Sequence, residues 1–174
     1  MPRRLQSLRL AIRTLPSTQI WLRCAFIYLL FLLLAAPLGF STGLLKIEWM
    51  KASPAMLALT AARIVAIPAL FEELVFRALL LPHPSEHKSA RHVVVVCTLA
   101  LLVFVAIHPL NGIFVRTQSR AVFTDPIFLT IAALLGLACT IGYQISGSIW
   151  PPVAMHWGTV VVWTICLGGK RMLG

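Results

Sequence analysis

Acidic residues are scarce in this chain. There are five among 174, against fifteen lysines and arginines, for a net charge of +10. Only 11% of the residues are charged, 59% are hydrophobic, and the mean hydropathy is +0.90. A soluble domain is nearer a quarter charged. So little charge excludes a soluble globular core and points to a multi-pass membrane protein. The basic excess does not read as a nucleic-acid surface, because it is spread along the chain. Its densest group, Arg3, Arg4, Arg9 and Arg13, precedes the first apolar run, the pattern of a cytoplasmic anchor facing anionic lipid. There is no C-x-x-C pair: Cys24, Cys97, Cys139 and Cys166 all fall in or beside apolar runs. That excludes a disulfide framework or a cysteine metal cluster. No internal repeat is detectable, which counts against a transporter built from duplicated halves.

What is present is a succession of apolar runs. Residues 1–19 are basic and loosely amphipathic, with Leu5, Leu8 and Ile12 suited to the membrane surface. Residues 20–40 are long enough to span a bilayer and read as an uncleaved first helix rather than a signal peptide. Further runs cover residues 55–81, 93–108, 127–145 and about 150–167. The expected fold is an all-α polytopic membrane helical bundle of about five transmembrane helices. Residues 1–19 form its leader and residues 20–174 a single membrane domain. The N-terminus is expected in the cytoplasm, in a bacterial inner membrane. His108-Pro109, followed by Leu110-Asn111-Gly112, reads as the end of the third span. Asp125-Pro126 reads as a helix start. His83, His87 and His92 read as a solvated interfacial loop.

The second span carries the unusual chemistry. Glu72 and Glu73 stand side by side, with Arg77 four residues after Glu73. Ionisable groups at that depth are expensive and mark functional sites. Helical spacing pairs Glu73 with Arg77 and turns Glu72 about 100° away. Glu72 is left without a local cation, which suits a general acid or base. Pro68, four residues before Glu72, predicts a kink. His108 and His156 are the expected partners. Measured from the cytoplasmic helix ends, Glu72 lies about 13 Å deep and His156 about 8 Å. His108 comes out near 22 Å, and joins them only if its helix starts low or is tilted.

These residues carry a resemblance. Glu72-Glu73-Leu74-Val75-Phe76-Arg77 resembles the E-E-x-x-x-R motif of the CPBP intramembrane proteases, the CAAX protease and bacteriocin-processing (Abi) family. Phe104 to His108 resembles its F-x-x-x-H motif. His156 resembles the histidine of its H-x-x-x-N motif, with Val160 where the family usually has asparagine. Order and spacing agree over roughly residues 60–165. The resemblance implies an endopeptidase of the type II CAAX prenyl kind. Glu72 would activate water, His108 would hold it, and His156 would stabilise the oxyanion. Glu73, Arg77 and Phe104 would support them. The substrate would be a peptide or membrane protein at the lipid bilayer. The lack of an H-E-x-x-H pattern favours a reaction without a cofactor. Zinc on Glu72, His108 and His156 is the open alternative.

Two other classes stay open. Val160 favours a non-catalytic member, a bacteriocin-immunity or peptide-binding membrane protein. Buried Glu and His also mark ion paths, as in a small transporter or proton-relay subunit.

Overall fold

Serine, aspartate and proline set most helix starts. In the computed structural model, which describes residues 3–173, every regular element is helical. Helix α1 covers Arg3–Arg13 and α2 covers Thr18–Ser41. Ser53 caps α3 (Pro54–Ile64) by accepting from the Met56 amide, with Pro54 in the first turn, where its missing N–H costs nothing. Ser89 caps α5 (Ala90–Phe114) in the same way through the His92 amide. Asp125 caps α7 (Pro126–Ser146) as the sequence predicts: one carboxylate oxygen accepts from Ile127 at 2.7 Å and Phe128 at 3.0 Å. Such a cap contributes about 1 kcal/mol. Prolines 151 and 152 open α8 (Trp150–Cys166), which precedes the short α9 (Gly169–Leu173).

The second predicted span is broken rather than kinked. After α3, Ile67 adopts extended backbone angles (φ −142°, ψ 116°) before Pro68, and the Ile67–Pro68 peptide is cis. Two wide, π-type helical segments, Val65–Leu70 and Leu74–Leu79, flank a single α-helical turn, α4 (Phe71–Glu73). Irregular helical turns of this kind concentrate at functional sites. Helical spacing is therefore interrupted at Ile67, while the Glu73–Arg77 pairing after the break keeps its i, i+4 geometry as expected.

The third span also differs from expectation. Helix α5 does not stop at His108-Pro109 but runs on to Phe114, with Pro109 inside it. It ends where the Asn111 carbonyl accepts from both Val115 and Arg116. A further short helix, α6 (Arg120–Phe123), leads into α7.

Helix α7 is the axis of the bundle, packed against α2, α5 and α8. Its small residues permit this. A methyl at Gly136 would stand 2.7 Å from Leu101 and about 3.0 Å from the Phe104 ring. Three helices, α2, α5 and α7, are long and apolar enough to cross a membrane. The other predicted spans are the 17-residue α8 and the broken segment around Ile67. Many large apolar side chains face outward, among them Leu22, Phe26, Phe71 and Leu102. That inside-out pattern suits lipid as the surrounding solvent. Together with the apolar helices it identifies an integral membrane protein.

The loop after the Leu74–Leu79 segment corrects the reading of three solvated histidines. His87 and His92 are exposed, but His83 is buried. Its Nε2 meets the Gly147 carbonyl at 3.0 Å, and its Nδ1 meets the Ser85 hydroxyl at 2.8 Å. Glu86 closes the turn by accepting from the His83 amide at 2.9 Å.

Candidate functional site

The site grows from the single α-helical turn that carries the two glutamates. Glu73 is fully buried, and its Oε2 lies 3.1 Å from Arg77 Nε, one turn on. Arg77 is buried as well. Its Nη2 donates to the Gly136 carbonyl at 2.8 Å, and its guanidinium stands 4.8 Å above the Phe104 ring. A cation on an aromatic face gains about 0.5–2 kcal/mol, the upper end when desolvated. Two charged side chains are thus fixed by one ion pair, one carbonyl and one ring.

His156, from the second turn of α8, enters the same cluster. Its Nδ1 lies 2.8 Å from Glu73 Oε1, and its Nε2 lies 3.9 Å from Glu72 Oε2. The sequence reading has the two acids facing different neighbours. In the structure they face the same imidazole, one on each ring nitrogen. Glu73 is therefore an acid placed behind a histidine, which the sequence alone does not reveal because the pairing is long-range. Trp157, the next residue, donates from its indole to the Ala61 carbonyl at 3.0 Å and ties α8 to α3.

Glu72 differs from Glu73 in access. About a quarter of its side chain is exposed. Its Oε2 is buried and has no hydrogen-bond partner within the described residues. Arg77 Nη1 is likewise buried and unpaired.

His108 reaches this group through Phe104 rather than through a hydrogen bond. Its Nδ1 donates to the Phe104 carbonyl at 2.8 Å, which leaves Nε2 with its lone pair. The ring packs among Phe104 (5.0 Å), Phe128 (5.6 Å) and Phe123 (6.2 Å). Phe104 also stands 6.2 Å from the His156 ring, so one aromatic side chain bridges the two histidines. Among the described residues His108 makes no hydrogen bond to Glu72 or His156. It is the eighteenth residue beyond the start of α5, about 27 Å along the axis.

A zinc ion would need Glu72, His108 and His156 to converge within about 2.2 Å of one point. They are not so grouped, and no other set of three histidine, cysteine or acidic side chains is gathered for a metal among the described residues. The Nδ1 of each histidine is engaged, by Glu73 and by the Phe104 carbonyl, which leaves each Nε2 free of that bond and is the outer-shell pattern that metal-bound histidines also use. In this arrangement Glu72, His108 and His156 are not gathered around one point, and among the described residues that grouping is what a metal site lacks.

Beyond the predicted residues, α8 carries two polar atoms on the His156 side of the helix with no partner. The indole nitrogen of Trp163 and the hydroxyl of Thr164 are buried and unbonded among the described residues. Val160, one turn after His156, is half-buried between them and the histidine. Trp163 packs 5.7 Å from Phe128 and so continues the aromatic wall around His108.

No curated protein and no solved structure matches the chain. A family model, described as type II CAAX prenyl endopeptidase Rce1-like, matches residues 54–162, more than half of the chain. With Glu72, Glu73, Arg77, His108 and His156 all inside that region, the chain belongs to the Rce1-like type II CAAX prenyl endopeptidase family.

Proposed function

We propose that this chain is an intramembrane endopeptidase in which Glu72 activates water against a peptide bond presented at the bilayer. The observation that carries this reading is a single imidazole held between two acids of unequal access. Glu73, fully buried, fixes the ring through Nδ1; Glu72, a quarter exposed, faces Nε2. An orienting carboxylate behind a histidine, with a reactive group before it, is the arrangement that acyl-transfer sites use.

The reaction needs Glu72 as a carboxylate, to take the proton, and a hydrogen on His156 Nε2, to donate to the oxyanion. In the reaction a water O–H bond breaks, its proton goes to Glu72, and the oxygen bonds to the carbonyl carbon. The carbonyl oxygen becomes an oxyanion and accepts from His156 Nε2–H. Collapse breaks the C–N bond, and the proton on Glu72 passes to the leaving nitrogen. His108, with its lone pair on Nε2, holds the water or the peptide from the far side of Phe104. No metal is required by these steps. One tightly bound zinc per purified chain would overturn that part.

The family name points to prenylated C-terminal sequences. A hydrophobic peptide or membrane-protein segment is the broader class we infer. The orientation we infer has the N-terminus in the cytoplasm of a bacterial inner membrane.

The test is cleavage of prenylated and plain hydrophobic peptides by protein purified into liposomes. Glu72→Gln is expected to lower kcat by roughly 10²–10⁴, the range for a general acid–base group. His108→Ala is expected to lower it as well. Turnover that survives Glu72→Gln would sink the mechanism. A second reading, a peptide-binding or immunity protein without turnover, is favoured by Val160. Peptide binding with no cleavage in any variant would support it.

A further inference from the structure

Helix α1 has two faces with different occupants. The inward face carries Ser7, Leu8 and Ala11, packed on the end of the glutamate-bearing segment and on Tyr143 and Ile149. The hydrogen bonds made there are unusually far-reaching. Arg4 donates to the Leu81 carbonyl at 3.3 Å, and Ser7 donates to Glu86 at 3.1 Å. Both acceptors lie just after the glutamate-bearing helix. At the other end the Ile149 amide donates to the Ala11 carbonyl, the Ser148 hydroxyl to Thr14 and the Trp150 indole to Ile12. Those donors lie at the start of α8, two turns before His156. One short helix thus straps together the exit of the Glu72 segment and the start of the His156 helix.

The outward face is basic and apolar. Leu5, Arg9, Ile12 and Arg13 are exposed along it, and Leu15 follows, the most exposed large apolar side chain in the described structure. Arg9 and Arg13 make no hydrogen bond or ion pair among the described residues. There is no acidic residue in the chain before Glu48 to offset them. A surface that combines unpaired guanidiniums with protruding leucine and isoleucine matches an anionic bilayer surface in both charge and polarity. Aqueous solvent would leave the apolar members uncovered, and an acidic protein would leave them without a matching layer.

We propose that the outward face of α1 docks on an anionic lipid leaflet, and that this contact braces the strap holding the Glu72 and His156 segments together. Lipid charge would then tune the site from its cytoplasmic edge. The activity part of this inference rests on the peptidase reading; the docking part does not.

The experiment uses the full chain in nanodiscs of phosphatidylcholine with and without phosphatidylglycerol. It compares the wild type with the Arg9→Gln/Arg13→Gln double variant. Neither arginine belongs to the site, and both are exposed, so the variant retains the fold. Amide exchange over residues 3–13 is expected to slow several-fold with phosphatidylglycerol in the wild type and to be indifferent to it in the variant. High salt should erase the difference, since such contacts are screened. Equal exchange in both lipids, or a lipid effect that survives in the variant, overturns the docking. Peptide cleavage measured on the same samples is expected to rise with phosphatidylglycerol only in the wild type. Slowed exchange with an unchanged cleavage rate would overturn the bracing while leaving the docking intact. An absence of cleavage in every sample would count against the peptidase reading, and the exchange result would still decide the docking.

Discussion

The Nδ1 of His156 lies 2.8 Å from Oε1 of Glu73, with both side chains shut away from solvent. Glu73 also holds Arg77 at 3.1 Å, so a single carboxylate serves a cation on each side. Glu73→Gln keeps an acceptor for the imidazole but strands the buried guanidinium. Breaking such a pair costs about 3–5 kcal/mol, so a clear fall in Tm is expected. The double variant Glu73→Gln/Arg77→Met should recover much of that stability, because no buried charge is left unmatched. It should not recover cleavage, because His156 still lacks its carboxylate. Recovery of both together would reduce Glu73 to a purely structural role.

Gly136 is the point where three parts of the site meet. Its carbonyl accepts from Arg77, and its Cα faces Leu101 and the Phe104 ring at distances that a methyl would violate. Gly136→Ala would push Phe104 away from both Arg77 and His108. Overpacking of this kind costs about 1–3 kcal/mol. The expected outcome is a lower Tm together with reduced cleavage, although no reacting group has changed. An unaltered Tm would mean that Leu101 and Phe104 yield without strain.

The helical pairing of Glu73 with Arg77, the Asp125 cap and the long apolar helices were all legible, because each depends on residues within a few positions of one another. The seat of His156 between two acids was not, because it joins residues 83 positions apart. Pro68 announced a disturbance, but its extent at Ile67 depends on packing against α8. Pro109 looked like a stop. The helix continues past it because a proline removes only one donor, and Gly112 lets α5 pack tightly on Phe123 a turn later. His83 looked solvated because its burial comes from the distant Gly147 carbonyl.

Glu86 gives the strap a pH dependence of its own. Burial draws its carboxyl upward, but the His83 amide, the Ser7 hydroxyl and the charges of Arg4 and Lys88 outweigh this and hold it below the ordinary glutamate range. A depressed folded value means stability that is present above the unfolded value and is lost as pH falls through the folded one. The attachment of α1 should therefore weaken below about pH 4. Amide protection factors over residues 3–13 would show it, declining with acid in the wild type and nearly flat in Glu86→Gln. Parallel curves would mean that the carboxylate is not what holds the strap.

Val160 decides between an enzyme and a retired pocket. It sits one turn beyond His156 on α8, half-buried, where the resemblance expects asparagine. Its neighbours Trp163 and Thr164 offer buried donors that no group in the described chain accepts. If the pocket turns over substrate with those donors alone, Val160→Asn adds one more beside the developing oxyanion. A single well-placed donor is worth roughly 10²–10³ in kcat. A site not tuned around the new side chain should gain less, on the order of tenfold. The gain should appear in kcat rather than KM, because the donor acts on charge that develops only in the transition state. Cleavage that first becomes measurable in Val160→Asn would mark the natural chain as a binding protein that one substitution can reawaken. Cleavage present in the wild type and unchanged by the substitution would mean that His156 and the existing donors already complete the site.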